Sequence, residues 1–290
     1  MSKVIDSDYP GENRLSDQEL KNQVIQQAAP ELTKASKDLK FPTETIDLPS
    51  KGLLYPKGSP LSKGTIEVKY MTAKEEDILT SQNLIKNGTV IDVLLSNLIV
   101  SPINYDDLLV GDKNAIMIAA RVLAYGKDYE VELTSPTSGD KQKEVIDLTQ
   151  FQLKEFDPEI FKEGENCFAF QLPASKRTIE FKLLTHGDEK KIQNEIKANK
   201  KMRRRIMGVS PELSTRLKFM LLSVDGEHDR VTIGKFVDDE FLSRDSLAFR
   251  EYMNSISPDI DLTHTYYDEI SGEEHDVQLP MTVQFFWPRA

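Results

Sequence analysis

The chain has 290 residues and a mass of 33.0 kDa, which suits one large domain or two smaller ones with room for a packed core. Its 48 Asp and Glu against 37 Lys and Arg give a net charge of −11, which argues against coating of nucleic acid. The single cysteine, Cys167, excludes an internal disulfide framework and any multi-cysteine zinc or iron–sulfur site, and leaves metal chemistry to carboxylates and four histidines.

The opening MSKVIDSDYPGEN carries neither a positive flank nor an apolar stretch, so no signal peptide is expected. The longest apolar runs, residues 90–100 and 115–124, are interrupted by polar residues and fall short of a membrane span. The expectation is a soluble protein made in a cytoplasm. Residues 1–42 are polar and poor in aromatics, the composition of an arm rather than a core. Ser16 followed by Glu19 is a capping-box pattern, and Leu20, Val24 and Ala28 share one face of a short helix near 17–28 that Pro30 stops. So few turns do not stand alone, so the segment is either a floppy tail or an arm that orders against a partner.

From Phe41 the pattern changes to short strands, helices and turns, and an internal repeat becomes visible. Residues 62–79 read SKGTIEVKYMTAKEEDIL and residues 175–192 read SKRTIEFKLLTHGDEKKI, with eight identities in eighteen aligned positions. Ordinary composition would give roughly one. In the first copy Ile66, Val68 and Tyr70 alternate with Glu67 and Lys69 as a half-buried strand; Thr72 with Glu75 then caps a helix carrying Ile78, Leu79 and Ile85, stopped at Gly88. In the second, Ile179, Phe181 and Leu183 alternate with Glu180 and Lys182, and Thr185 with Asp188 begins the matching helix. Each copy follows a Leu-Pro turn, Leu48-Pro49-Ser50-Lys51 and Leu172-Pro173-Ala174-Ser175-Lys176.

A weaker correspondence at one constant spacing extends to the ends of both units. Leu109, Asp112, Ala115, Ser138 and Gly139 fall opposite Leu242, Asp245, Ala248, Ser271 and Gly272. In each unit a helix, about 113–124 and about 244–254, leads into a hairpin turning at the Ser-Gly. The sequence therefore predicts an α+β fold built as a tandem duplication: a first repeat over 43–148, a connecting segment over 149–168 and a second repeat over 169–290. Whether the repeats pack as one body is open. The closing MTVQFFWPRA predicts an apolar last strand around Val283, Phe285, Phe286 and Trp287, docked on its own core or on a neighbour.

Catalytic signatures are missing. Gly58 to Thr65 reverses the Gly-Lys order of a phosphate loop, and neither a G-x-S-x-G elbow nor an H-E-x-x-H pair occurs. Cys167 has no nominated base and reads as a buried structural cysteine. Glu75, Glu76 and Asp77 read as a helix first turn, where negative charge is favoured. Asp225-Gly226-Glu227-His228-Asp229 lacks the alternating acids of a calcium loop and reads as a solvated turn. His264 and His275 alone make a poor metal site.

One basic cluster stands against the acidic total: Lys197, Lys200, Lys201, Arg203, Arg204 and Arg205. It reads as a solvated helix face or as a docking patch for an acidic surface. Nucleic acid ranks third, because no aromatics interleave the run.

The stretches LPSKGLLYP, GTIEVKYMTAKEEDILTSQNLIKNGTVID and LLVGDKNAIMIAARVLAYGKDYEV, with the terminal FFWP, resemble the baseplate hub subunit family of T-even-type contractile-tailed bacteriophages. The resemblance covers residues 45–150 and extends more loosely to 290. It implies a structural or assembly part in the tail baseplate hub, through protein–protein binding without catalysis. It also implies partners among other baseplate or tail proteins, with a second copy of the chain left open. Neither nucleic acid, membrane nor cofactor is implied. Family members often carry Cys-x-x-Cys knuckles in the two hairpins; here no cysteine stands at either, so zinc is not carried over. The expected location is the virion tail baseplate, reached by assembly in the host cytoplasm. The candidate partner-binding residues are Lys197, Lys200, Lys201, Arg203, Arg204, Arg205, Leu20, Val24 and Trp287. A tail-assembly chaperone and a cell-wall hydrolase are the competing readings.

Overall fold

Strand β1 (Thr43–Asp47) pairs antiparallel with β2 (Thr65–Lys69), placing Ile46 opposite Ile66 and Glu44 opposite Val68. This computed structural model describes residues 42–135, 139, 141–203, 211–268 and 271–287, and no side chains over 199–203. The proposed arm, with Leu20 and Val24, lies outside the described residues, as do Arg204 and Arg205. Thr43–Ala290 forms one unit by its internal contacts.

The link between β1 and β2 folds back so tightly that Gly52, at φ 77°, sits against the Ser62 carbonyl; a Cβ there would lie 2.5 Å from that oxygen. Ile66 and Val68 are buried, as the alternation predicts. Three helices follow: α1 (Ala73–Thr80), α2 (Gln82–Asn87) and α3 (Val90–Leu98). The helix expected to run unbroken to Gly88 is divided at Ser81. At that end of α1 the Thr80 hydroxyl bonds back to the Glu76 and Asp77 carbonyls at 3.2 Å, competing for acceptors of the helix ladder. Gly88 caps α2 at φ 72°, as expected. Helix α4 (Val110–Tyr125) is longer than the 113–124 of the sequence reading and leads into the β3 (Asp128–Thr134) and β4 (Lys141–Asp147) hairpin.

In the second half, β5 (Phe168–Gln171), β6 (Thr178–Phe181) and β7 (Leu221–Val224) form a three-stranded sheet in that order. Helix α5 (His186–Arg203) is followed by α6 (Glu212–Met220) before β7, and by α7 (Arg230–Lys235) after it. The α5 bounds put Lys197 to Arg203 inside the helix. Helix α8 (Ser243–Ile256) then leads to the β8 (Thr263–Tyr267) and β9 (Glu274–Gln278) hairpin. The fold is α+β.

The same polar contacts recur in both halves. Lys69 donates to Glu75 at 2.8 Å, and the Thr72 amide donates to the same carboxylate at 3.0 Å. Lys182 donates to Asp188 at 2.6 Å, and the Thr185 amide donates to it at 3.2 Å. At the other end of each unit an aspartate in a helix first turn clasps the Leu-Pro turn. Asp112 accepts from the Ser50 amide and hydroxyl and from the Tyr55 hydroxyl at 2.9, 2.7 and 2.5 Å. Asp245 accepts from the Ala174 and Ser175 amides at 2.6 and 3.0 Å.

One apolar core joins the halves. Phe168, Phe181 and Phe249 are buried together, and the connecting segment adds Phe161, edge-on to Phe168. Each such ring contributes about 1.5–3 kcal/mol by leaving water. The end of the chain is a correction: residues Val283–Phe286 form a 3₁₀ turn, not a strand. A strand would send the neighbouring Phe285 and Phe286 to opposite faces, whereas the turn buries both. The Phe285 ring lies tilted against Tyr129 of β3 at 5.1 Å, and its carbonyl accepts from the buried Arg121 at 3.1 Å.

Candidate partner-binding surface

The surface begins where the two halves meet. The Val110 amide donates to the Leu184 carbonyl and the His186 amide donates to the Leu108 carbonyl, at 3.2 and 2.7 Å, so the starts of α4 and α5 are stitched together. Gly111 lies so close to the loop after α8 that a Cβ would fall 1.9 Å from the Pro258 carbonyl oxygen. Asn114 ties the same helix to Asp259 at 3.1 Å.

His186 is buried at this junction. Its Nδ1 lies 3.1 Å from the Lys113 ammonium and its Nε2 3.2 Å from Asp92, with the Tyr105 ring 4.5 Å away. The imidazole is thus wedged between a cation on one edge and a carboxylate on the other. Burial works against the Asp92 charge, but His186 and Lys113 outweigh it and hold the carboxyl below its ordinary value. Burial and then the Asp92 and Asp106 charges push the Tyr105 hydroxyl far up, so it stays protonated.

This cluster forms one wall of a polar cleft of about 760 Å³. Lys190, Asn194, Lys197 and Arg216 line the rest. Lys190 pairs with Asp106 at 2.9 Å, and Arg216 grips Glu189 through both terminal nitrogens, one bond at 2.9 Å. Lys197 is exposed and makes no ion pair among the described residues. Lys113, Lys190 and Arg216 are each matched by a carboxylate, so Lys197 is the lining cation left unpaired among the described residues.

Of the residues nominated from sequence, only Lys197 has a described side chain in this cleft. Lys200, Lys201 and Arg203 share its helix, but their side chains lie outside the description. Trp287 is 41% exposed and lines neither this cleft nor the apolar one next to it. Lys113, His186 and Arg216 were missed, because nothing local in the sequence brings α4, α5 and α6 together.

The acidic clusters resolve into structure. Glu75 is buried in its capping box, where burial opposes its charge but the Lys69 and Thr72 donors win and lower its pKa. Asp225 closes a turn, accepting from Arg177 at 2.7 Å and the Thr178 amide at 2.8 Å. Cys167 is a correction: it is exposed, not buried. Partial burial and then the charges of Glu180 and Glu165 raise its pKa, keeping it a thiol. It lies just before β5, where the side chain that turns inward is that of Phe168. Among the described residues, no group of three metal-ligating side chains converges and no helix is long and apolar enough to cross a membrane.

The family model described as T4 bacteriophage base plate protein matches residues 43–202. The chain belongs to the T4-type phage baseplate family. The match runs from β1 to the last turn of α5 and so takes in Asp92, Lys113, His186, Lys190 and Lys197. No curated protein and no solved structure is similar enough to match. A baseplate protein works against other phage tail proteins, in the tail baseplate of the virion.

Proposed function

We propose that the chain is a component of the baseplate hub, acting by protein–protein binding without catalysis and remaining in the finished tail. The carrying observation is the family match over 43–202 combined with the basic run that starts at Lys197, on the rim of the polar cleft, in an otherwise acidic molecule. In this reading the repeats over 43–148 and 169–290, joined by 149–168, act as a rigid platform. Lys197 and the following Lys200, Lys201, Arg203, Arg204 and Arg205 meet the acidic surface of a neighbour, while Leu20, Val24 and Trp287 offer apolar contacts. Assembly takes place in the host cytoplasm.

The ionisable groups at the junction support binding over chemistry. His186 is held between Lys113 and Asp92, and Arg216 is taken up by Glu189, so no free acid–base pair stands in the cleft among the described residues. Quantitative mass spectrometry of purified tails tests the proposal. A hub subunit appears at fixed stoichiometry; absence from finished tails would assign the chain to assembly chaperones instead. Clearing of peptidoglycan by the purified protein would overturn the non-catalytic reading.

A further inference from the structure

Beside the polar cleft, across the Arg216–Glu189 pair, lies a second one of different character. It measures about 260 Å³, with Leu109, Leu183, Leu217, Met220 and Met253 among its walls and Leu213, 46% exposed, at its mouth. That is below the 300–1,000 Å³ of typical small-molecule sites but ample for an anchoring side chain.

Its charges are unbalanced. Lys154 donates to Asn254 at 3.1 Å, and the Arg250 Nε donates to the Ser246 carbonyl at 3.2 Å; neither makes an ion pair among the described residues. Of the two carboxylates that line the cleft, Glu189 is ion-paired with Arg216, while Asp259 accepts from the neutral Asn114 amide and keeps its charge. Three cations, Lys154, Arg216 and Arg250, thus line the cleft against two carboxylates, a local positive excess in a chain with 48 acidic residues against 37 basic ones.

We propose that this cleft seats an apolar side chain from another baseplate protein, on a segment whose Asp or Glu residues reach Arg250 and Lys154. The proposal rests on the baseplate reading and names the chemistry of the partner. Leu213, Leu217 and Met220 recur along one face of α6, and Arg250, Met253 and Asn254 along α8, so the floor is a trough between two helices. The apolar anchor supplies affinity there, and the rim cations choose among anchors by the acids that flank them.

The test uses tails assembled from a chain carrying the photo-crosslinker p-benzoylphenylalanine at Leu213, with Val231 on α7, exposed and outside both clefts, as control. Should a label at Leu213 block assembly, one at Asn254 reads the opposite rim. Irradiation is expected to join the labelled cleft to one segment of a different tail protein, an apolar residue flanked by Asp or Glu, and the Val231 label is expected not to reach it. Arg250→Glu is expected to cut that adduct about tenfold with an unchanged thermal melt. An adduct to the chain itself, an adduct to a segment without carboxylates, no adduct, or a yield indifferent to Arg250→Glu overturns the proposal. Mass spectrometry of the same tails separates the two ideas: the chain present without the adduct defeats the docking alone, and the chain missing defeats both.

Discussion

Asp112 and Asp245 occupy corresponding places in the two halves, yet they carry opposite electrostatics. Each sits in a helix first turn and each is fully buried against the turn after a Leu-Pro. Burial raises the Asp112 pKa and prevails over its donors, Ser50 and Tyr55. At Asp245 burial works in the same direction, but the Ala174 and Ser175 backbone donors outweigh it and bring the pKa below the ordinary value. The clasp is made with one amide and two hydroxyls in the first half and with two amides in the second. The difference is one of depth: desolvation weighs heavily on Asp112 in the core and lightly on Asp245 under its turn, so comparable donors prevail only at Asp245.

The largest break in this comparison comes from Asp112→Ala, which strands two hydroxyls and an amide in the core. It is expected to cost about 4 kcal/mol in urea unfolding. Asp245→Ala strands two amides beside a partly open turn and is expected to cost about 2 kcal/mol. Equal losses would show that the two clasps are energetically equivalent. Lys69→Met and Lys182→Met remove the matching partners of Glu75 and Asp188 and are expected to cost about 1–2 kcal/mol each, by similar amounts.

The subtlest test is acid. Asp245 is depressed in the native state, so its stabilisation is complete above its ordinary pKa of 3.8 and is lost as pH falls through the native value. Asp112 is raised, so it binds its proton more readily when folded and favours the native state as pH drops from its native value toward 3.8. Stability followed from pH 7 to pH 2 should therefore fall less steeply in Asp245→Asn and more steeply in Asp112→Asn. A reversed order would contradict the assignment.

Both aspartates were marked in the sequence by their common spacing, and so were Thr72 with Glu75 and Thr185 with Asp188. These are local signals: a cap and its acceptor lie within one helical turn, and a repeat keeps them in register. The break at Ser81, strand β7 and the 3₁₀ turn at Val283–Phe286 were not legible. In each case the partner met there is distant or subtle: a hydroxyl bonding back along α1, the exposed edge of β6, and Tyr129 waiting on β3. In the first half the place of β7 is filled by a single bridge, Val68 to Ile99, which no pattern in residues 90–100 distinguishes from helix. Of the candidate surface, the cationic helix was visible as a charge run. The clefts were not, because their walls come from α4, α5, α6 and α8.

The contact between Arg121 and the Phe285 carbonyl also says something about time. A ribosome delivers β3 and α4 long before residues 283–287 emerge, so for that interval the Arg121 guanidinium lacks its final acceptor and the Tyr129 ring its cover. The first half can collapse early but cannot finish until the last turn arrives. Its completion is therefore a report that synthesis has passed Phe286, and a chain interrupted before that point would present an unfinished face rather than a smaller, sound protein.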